Sequence, residues 1–348
     1  MTDSSVPATE TRSTPEGSSP GGGKPSGPGP GQRRYGGLRG FIAKYGTLIG
    51  FGVMIILFGV LIPHAFPTWN NARNILEIAA PILIVAVGFT VVVAAEEYDL
   101  TFTGTTLISA VLAAKAVSEW GLGPWGAVVL AVGAGIVSGA ITGVLVATKL
   151  ANSLIVTIAV GTVWTGIALG LSKEGQNIMI GDEGYLDLTF QRPLGIPLPV
   201  IYSVVIVLIA LVLLRKTVFG RAVRSIGSNE EAARLAGIGI RGTRILTFVF
   251  AGACYGVAAV ILTSRAGQFS PDLSAGLMVP TFVAVFFGLG VLGARKVNVI
   301  GTVVGALFIG TLETGLVMLR TEAWVSEVVT GAALVVVLFA AAGKRRNA

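Results

Sequence analysis

Among the carboxylates in or beside long apolar stretches of the 348-residue chain, four stand out: Glu96, Glu97 and Asp99 in one cluster, and Glu313 alone. An ionisable group at membrane depth is costly and is by default a candidate for handling an ion, a proton or a solute. Glu97, Asp99 and Glu313 are therefore candidates for lining a polar pathway, with Thr90, Asn152 and Thr157 as uncharged candidates. Phe282, Phe286 and Phe287 offer rings that could stack on a sugar, although rings in such spans are more often core or lipid-facing. Covalent chemistry has little to work with. The single His64 sits beside Pro63 and the single Cys254 between Ala253 and Tyr255. No disulfide framework and no cysteine-based zinc site can be built from one cysteine. The chain has neither H-E-x-x-H nor G-x-x-x-x-G-K-[ST], since Gly23-Lys24 runs into Pro25, so it lacks a P-loop for nucleotide.

A second kind of site is a surface one. Between two apolar spans runs the segment 215–244, with seven basic residues and the stretch Ser228-Asn-Glu-Glu-Ala-Ala-Arg-Leu-Ala-Gly237. The spacing predicts a short helix over 228–237, with Ser228 as N-cap, Glu231 as its capping-box partner and Gly237 at the C′ position. Ala232, Ala233, Leu235 and Ala236 form a small, partly apolar face framed by Glu230, Glu231 and Arg234, the composition of a helix that docks on another protein.

The elements that must hold these residues are membrane helices. The chain is 53% apolar and only 12% charged, well below the charge content of a soluble domain. Ten segments approach the roughly 20 apolar residues of a spanning helix: 46–66, 74–95, 101–118, 124–147, 153–171, 199–214, 244–264, 278–293, 299–319 and 326–342. The third, sixth and eighth are short, as broken or re-entrant helices beside a cavity can be. The expected fold is an all-α membrane protein of about ten transmembrane helices with both termini cytoplasmic. Placing the N-terminus inside puts nineteen of the 25 Lys and Arg on the cytoplasmic side, as the positive-inside rule requires. The net charge of +7 is then an orientation signal and not a nucleic-acid footprint. Residues 1–40, rich in Gly, Pro and Ser, read as a disordered cytoplasmic tail without a cleavable signal peptide. Residues 41–343 form the membrane domain, with an outer loop at 172–198, a cytoplasmic loop at 215–244 and a basic tail at 344–348. Gly135, Gly139 and Gly143, Gly252 with Gly256, and Gly301 with Gly305 are small-xxx-small faces for close helix packing, in a bundle or a dimer.

The run Phe219-Gly-Arg-Ala-Val-Arg-Ser-Ile-Gly-Ser-Asn-Glu-Glu-Ala-Ala-Arg-Leu-Ala-Gly-Ile-Gly-Ile-Arg-Gly-Thr-Arg-Ile resembles the hallmark loop of permease subunits of ribose/xylose/galactoside-type ABC importers, in the family that also holds branched-chain amino-acid permeases. Asn71-Ala-Arg-Asn-Ile-Leu, Tyr98-Asp-Leu-Thr, Asn152-Ser-Leu-Ile-Val-Thr-Ile-Ala-Val-Gly and Gly301-Thr-Val-Val-Gly-Ala-Leu-Phe-Ile-Gly extend the resemblance over about residues 40 to 343. Glu96-Glu97-Tyr98 stands where the family usually has Gly-Gly-Ile, Phe102-Thr103 replaces a small, flexible sequence, and Phe287-Gly-Leu-Gly-Val-Leu-Gly replaces a Leu-Gly-Gly-Thr-Ser stretch. The resemblance implies a multi-pass protein of the bacterial plasma membrane that binds no cofactor itself. Its partners would be a cytoplasmic ABC ATPase, which uses the ATP, a solute-binding protein on the outer loops and a second permease copy or paralogue. The ATPase would dock on Ser228, Glu230, Glu231, Ala232, Ala233, Arg234, Leu235 and Gly237, and the cargo would be a monosaccharide or related solute. A nucleoside, polyol or branched-chain amino-acid cargo stays open. So does an ion-coupled secondary transporter using the four acids, while a membrane enzyme is disfavoured by the missing catalytic groups.

Overall fold

The computed structural model describes residues 38–290 and 297–346, and from Phe41 onward the chain forms one compact unit. Each of the ten apolar segments is a helix: α1 (Leu38–Leu61), α2 (Trp69–Ala94), α3 (Phe102–Ser118), α4 (Gly123–Ala147), α5 (Ser153–Leu171), α7 (Leu198–Lys216), α10 (Ile240–Ala266), α11 (Met278–Gly290), α12 (Val299–Met318) and α13 (Ala323–Arg346). Between them lie a helix in the 172–198 loop, α6 (Glu183–Phe190), and two in the basic loop, α8 (Val218–Ile226) and α9 (Glu230–Leu235). Among the described residues, six of the helices are long and apolar enough to cross a membrane, and α1, α3, α11 and α13 contain shorter apolar stretches. The chain is an all-α membrane protein. The tail expected at 1–40 lies outside the described residues up to position 37, as do Arg295 and Lys296, while α13 continues through Arg346.

Burial divides the bundle. The apolar window of α2 is 78% buried, that of α12 67% and that of α10 61%, whereas α5 reaches only 17%. α2, α10 and α12 therefore form the centre together with α3, of whose 17 residues 13 are buried, and α5 and α7 present apolar sides outward. The tightest packing joins α4 to α10. A Cβ on Gly135 would lie 2.1 Å from the Gly252 carbonyl oxygen, and one on Gly139 would lie 2.2 Å from that of Phe248. The glycine face predicted from spacing is thus used inside one chain. Gly305 of α12 meets the Ala284 backbone of α11 in the same way.

Several polar groups at the ends of the bundle are paired with neighbours. Pro81 interrupts α2 and removes the N–H that would bond the Glu77 carbonyl. Arg265, at the end of α10, donates to that carbonyl at 3.5 Å. At the same end, the Tyr185 hydroxyl of α6 pairs with Thr263 Oγ1 at 2.6 Å, and Ser264 Oγ donates to the Tyr185 carbonyl at 2.8 Å. A two-residue strand at Ile178–Met179 pairs antiparallel with Gln268–Phe269, β1 with β2. The 172–198 loop is accordingly a folded cap fixed to one end of α10, and α8 and α9 lie by the other.

The α4–α10 contact makes a graded prediction. Gly135→Ala forces a methyl onto a backbone oxygen and should destabilise the protein by about 1–3 kcal/mol. Gly133→Ala, in open space on the same helix, should be neutral or stabilise by about 0.5–1 kcal/mol. Thermal unfolding in detergent checks the pair; equal effects would refute close packing at Gly135.

Candidate functional site

The basic loop folds as two short helices joined by a tight turn. Thr217 caps α8, accepting from Gly220 N at 3.2 Å, and α8 buries Val223 and Ile226 while Arg221 and Arg224 face solvent. α9 is shorter than the sequence predicts, and its cap is Asn229 and not Ser228. Asn229 is extended (φ −164°, ψ 106°), and its Oδ1 accepts from Ala232 N at 3.0 Å. Ser228 is spent on the preceding helix, donating through Oγ to the Arg224 carbonyl at 2.8 Å. Two capping-competent residues stand side by side, and the unforeseen α8 claims the first. Gly237 takes the expected left-handed conformation, φ 77°. Arg221, Arg224, Asn229, Ala232, Ala233 and Ala236 are among the residues lining an open groove of about 530 Å³ between α8 and α9.

α9 has an inner and an outer side. Ala233 is buried at 4% exposure, while Leu235 is 82% exposed. Glu231 and Arg234 form an exposed pair at 3.7 Å. Glu230 points the other way. Its carboxylate is ion-paired by Lys149, and Arg244 Nη2 of α10 donates to its Oε2 at 2.6 Å. Burial alone would raise the Glu230 pKa, but the hydrogen bonds from Arg244 and Lys149 outweigh it and bring the value down to about 2.

Arg244 is the residue the sequence does not single out. It is 3% exposed and touches two carboxylates, Glu230 and Glu97. Its Nε lies 2.6 Å from Glu97 Oε1, yet the N–H is not aimed at that oxygen, so this contact is an ion pair without hydrogen-bond geometry. The acidic cluster thus has a cation from 147 positions further on, brought in by the fold. Glu97 belongs to the turn between α2 and α3, where Glu96 is left-handed at φ 59°. Two residues on, Asp99 is 1% exposed. Asp99 Oδ1 accepts from Thr101 N at 2.8 Å, and the Tyr255 hydroxyl of α10 donates to Oδ2 at 3.0 Å. The α8–α9 turn abuts α2 directly, since a Cβ on Gly227 would lie 2.2 Å from the Ala94 carbonyl oxygen.

The other pathway candidates are spread over the bundle. Phe282 joins the Asp99 region: it meets Phe89 edge-on at 5.3 Å and Phe102 at 6.1 Å, and Phe102 in turn meets Tyr255 at 6.0 Å. Phe286 stacks on Phe282 at 6.0 Å. Thr90 is fully buried and bonded to Thr302 Oγ1 at 2.7 Å, an α2–α12 contact. Asn152 is exposed and caps α5 by accepting from Leu154 N at 2.9 Å, and with Glu97 it lines an opening of about 390 Å³. Glu313 stands apart, eleven residues along α12 from Thr302, or about 16 Å at helical rise. Thr157 is buried in α5.

The chain is thus a bundle of apolar helices with a buried polar turn at one end of α10 and an exposed surface helix beside it. Residues 71–338 match the family model described as the branched-chain amino acid transport system / permease component, and the chain belongs to that family. It is similar to the L-arabinose ABC transporter permease of Azospirillum brasilense, 31% identical over 88% of this chain and 90% of that one. Ribose import permeases of Escherichia coli K12 (30% identity, 84% of this chain and 91% of the relative) and Bacillus subtilis (31%, 85% and 92%) are similar over comparable lengths. No solved structure matches.

Two outcomes test the site. Asn229→Ala should release the Ala232 amide and raise its hydrogen-exchange rate about fivefold, for a cap worth about 1 kcal/mol, while Ser228→Ala leaves that amide unchanged; the reverse result would restore Ser228 as the cap. For Glu230, the lowered pKa stabilises the fold above the ordinary value of 4.5, and that stabilisation is lost as pH falls through about 2. The thermal midpoint of Glu230→Gln should therefore lie below the parent's at pH 7, with the gap closing between pH 4.5 and 2; a gap that is constant with pH would refute this.

Proposed function

We propose that this chain is the transmembrane permease subunit of an ATP-driven importer of a monosaccharide or related polar solute, lying in the bacterial plasma membrane with ten spans and both termini cytoplasmic. The observation that carries the coupling role is the two-sidedness of α9. Glu230 and Ala233 tie it to the bundle, while Glu231, Arg234 and Leu235 face outward. An exposed leucine framed by charges, beside a groove walled by Arg221 and Arg224, suits a protein partner better than bulk water. The partner is a cytoplasmic ABC ATPase, since the chain has no P-loop of its own. The monosaccharide class rests on the arabinose and ribose permeases to which the chain is similar.

A solute-binding protein would deliver cargo to the 172–198 cap, and a second permease copy or paralogue would complete the pathway. The outward apolar sides of α5 and α7 are surfaces for lipid or for that second copy. ATP binding and hydrolysis by the partner would displace α9 and shift the population between outward-open and inward-open states. An ion-coupled carrier is less well supported, because Glu97 is already neutralised by Arg244.

Glu231→Ala combined with Arg234→Ala removes the exposed Glu231–Arg234 pair and the Arg234–Glu230 contact at 3.5 Å, and exposed pairs contribute about 0–1 kcal/mol each to folding. The doubly changed protein should insert normally but retain about a tenth or less of the parent's ATPase capture and of its uptake of labelled ribose or arabinose. Co-purification of the ATPase at the parent level would overturn the docking role of α9.

A further inference from the structure

The outward side of α9 does not explain how its movement reaches the interior, and its inward side offers one route. Glu230 is held by Arg244, Arg244 is held by Glu97, and Glu97 lies two residues before Asp99. Three elements therefore share one guanidinium: the surface helix α9, the first turns of α10, and the turn at 95–101 that begins α3. The same turn is fastened to α10 a second time through Tyr255 and Asp99 at 3.0 Å. The planar fork of an arginine can face two carboxylates at once, which a lysine ammonium does with less geometric definition. With Arg244 3% exposed, water has little access to replace a lost carboxylate partner. Displacement of Glu230 therefore leaves the guanidinium either to follow α9 or to turn further onto Glu97. The Arg244 Nε–H, not aimed at any acceptor, is what a turn toward Glu97 would satisfy.

We propose that Arg244, with Glu97, is the positioning pair that converts displacement of α9 into movement of the 95–101 turn, and so links the ATPase side to the solute pathway. The proposal rests on the reading of α9 as the ATPase-docking helix. It concerns coupling and not docking: Arg244 and Glu97 face the bundle, whereas the docking side of α9 is Glu231, Arg234 and Leu235.

The test places a reporter on the turn. Tyr98 is 39% exposed and Cys254 is buried, so Tyr98→Cys provides a thiol on the turn itself. The permease–ATPase complex is purified and maleimide labelling is timed without nucleotide and with ATP plus vanadate. The expected result is a change in labelling rate of about fivefold or more in the Tyr98→Cys protein. That change should fall below about twofold when Glu97→Gln or Arg244→Lys is added, although the ATPase still co-purifies. In proteoliposomes with the binding protein, the same two substitutions should lower labelled ribose or arabinose transported per ATP hydrolysed by about tenfold. A purely structural contact would lower the yield of folded protein without changing that ratio. Failure of the parent permease to capture the ATPase would count against the docking reading of α9. Capture with an undiminished nucleotide response in both variants would overturn the Arg244–Glu97 relay alone. Loss of assembly in both variants would also overturn it, by reducing the pair to a structural role.

Discussion

Backbone-to-backbone approach between α4 and α10 is the constraint from which the rest of the arrangement follows. In lipid, helices are not driven together by the hydrophobic effect, because the solvent is as apolar as their side chains. They associate where small residues allow many close contacts, and the Gly135–Gly139–Gly143 face against Ile245, Phe248, Gly252 and Gly256 does this over about two turns. The contact fixes the rotation of α10. Once that rotation is set, Tyr255 faces Asp99, Arg244 faces Glu97 and Glu230, and Thr263 and Ser264 face Tyr185. A steric fit in the middle of the helix thus decides which polar groups meet at both of its ends.

Those polar groups sit where apolar surroundings strengthen them. A hydroxyl pair such as Tyr185–Thr263 has no water to compete with it, and an unpaired hydroxyl there would be costly. The charged network around Arg244 is a stricter case. Removing one member of a buried ion pair typically costs about 3–5 kcal/mol, because the other is left uncompensated. Lys149 and Arg234 near Glu230 reduce that cost on the surface side, where solvent also helps. The Glu97 side has only Arg244 within ion-pair distance among the described residues. Loss of a partner is therefore better compensated at α9 than at the turn, the gradient expected of a part that moves on one side and holds on the other.

The helices were legible because apolar length is a strong signal: each of the ten expected segments holds a helix, with most ends shifted by a few residues and the start of the first by eight. The two-sided glycine faces were legible too, though spacing alone could not say that Gly135 would find Gly252 in its own chain. What sequence could not supply was long-range pairing. The acidic cluster at Glu96, Glu97 and Asp99 carries no nearby base, so it read as a possible cavity lining; the base is Arg244, far along the chain. The α8 helix was missed because Val218–Ile226 is short and basic, and this displaced the cap of α9 from Ser228 to Asn229. Adjacent Ser and Asn are equivalent capping candidates until the end of the preceding helix is known.

The 95–101 turn joins a left-handed non-glycine residue to a paired, nearly buried charge. Glu96 holds a left-handed backbone that costs a non-glycine residue roughly 1–2 kcal/mol, although a glycine there would adopt it freely. Glu97 adds a carboxylate that must then be neutralised. A turn built only to reverse the chain would need neither. Both features become intelligible if the turn has to be gripped: a glycine pair would leave it flexible and with nothing for Arg244 to hold. The strained residue limits the conformations open to the turn, and its charged neighbour ties it to the helix that also receives α9. Rigidity on this segment is what allows a displacement at the surface to arrive at Asp99 undiminished.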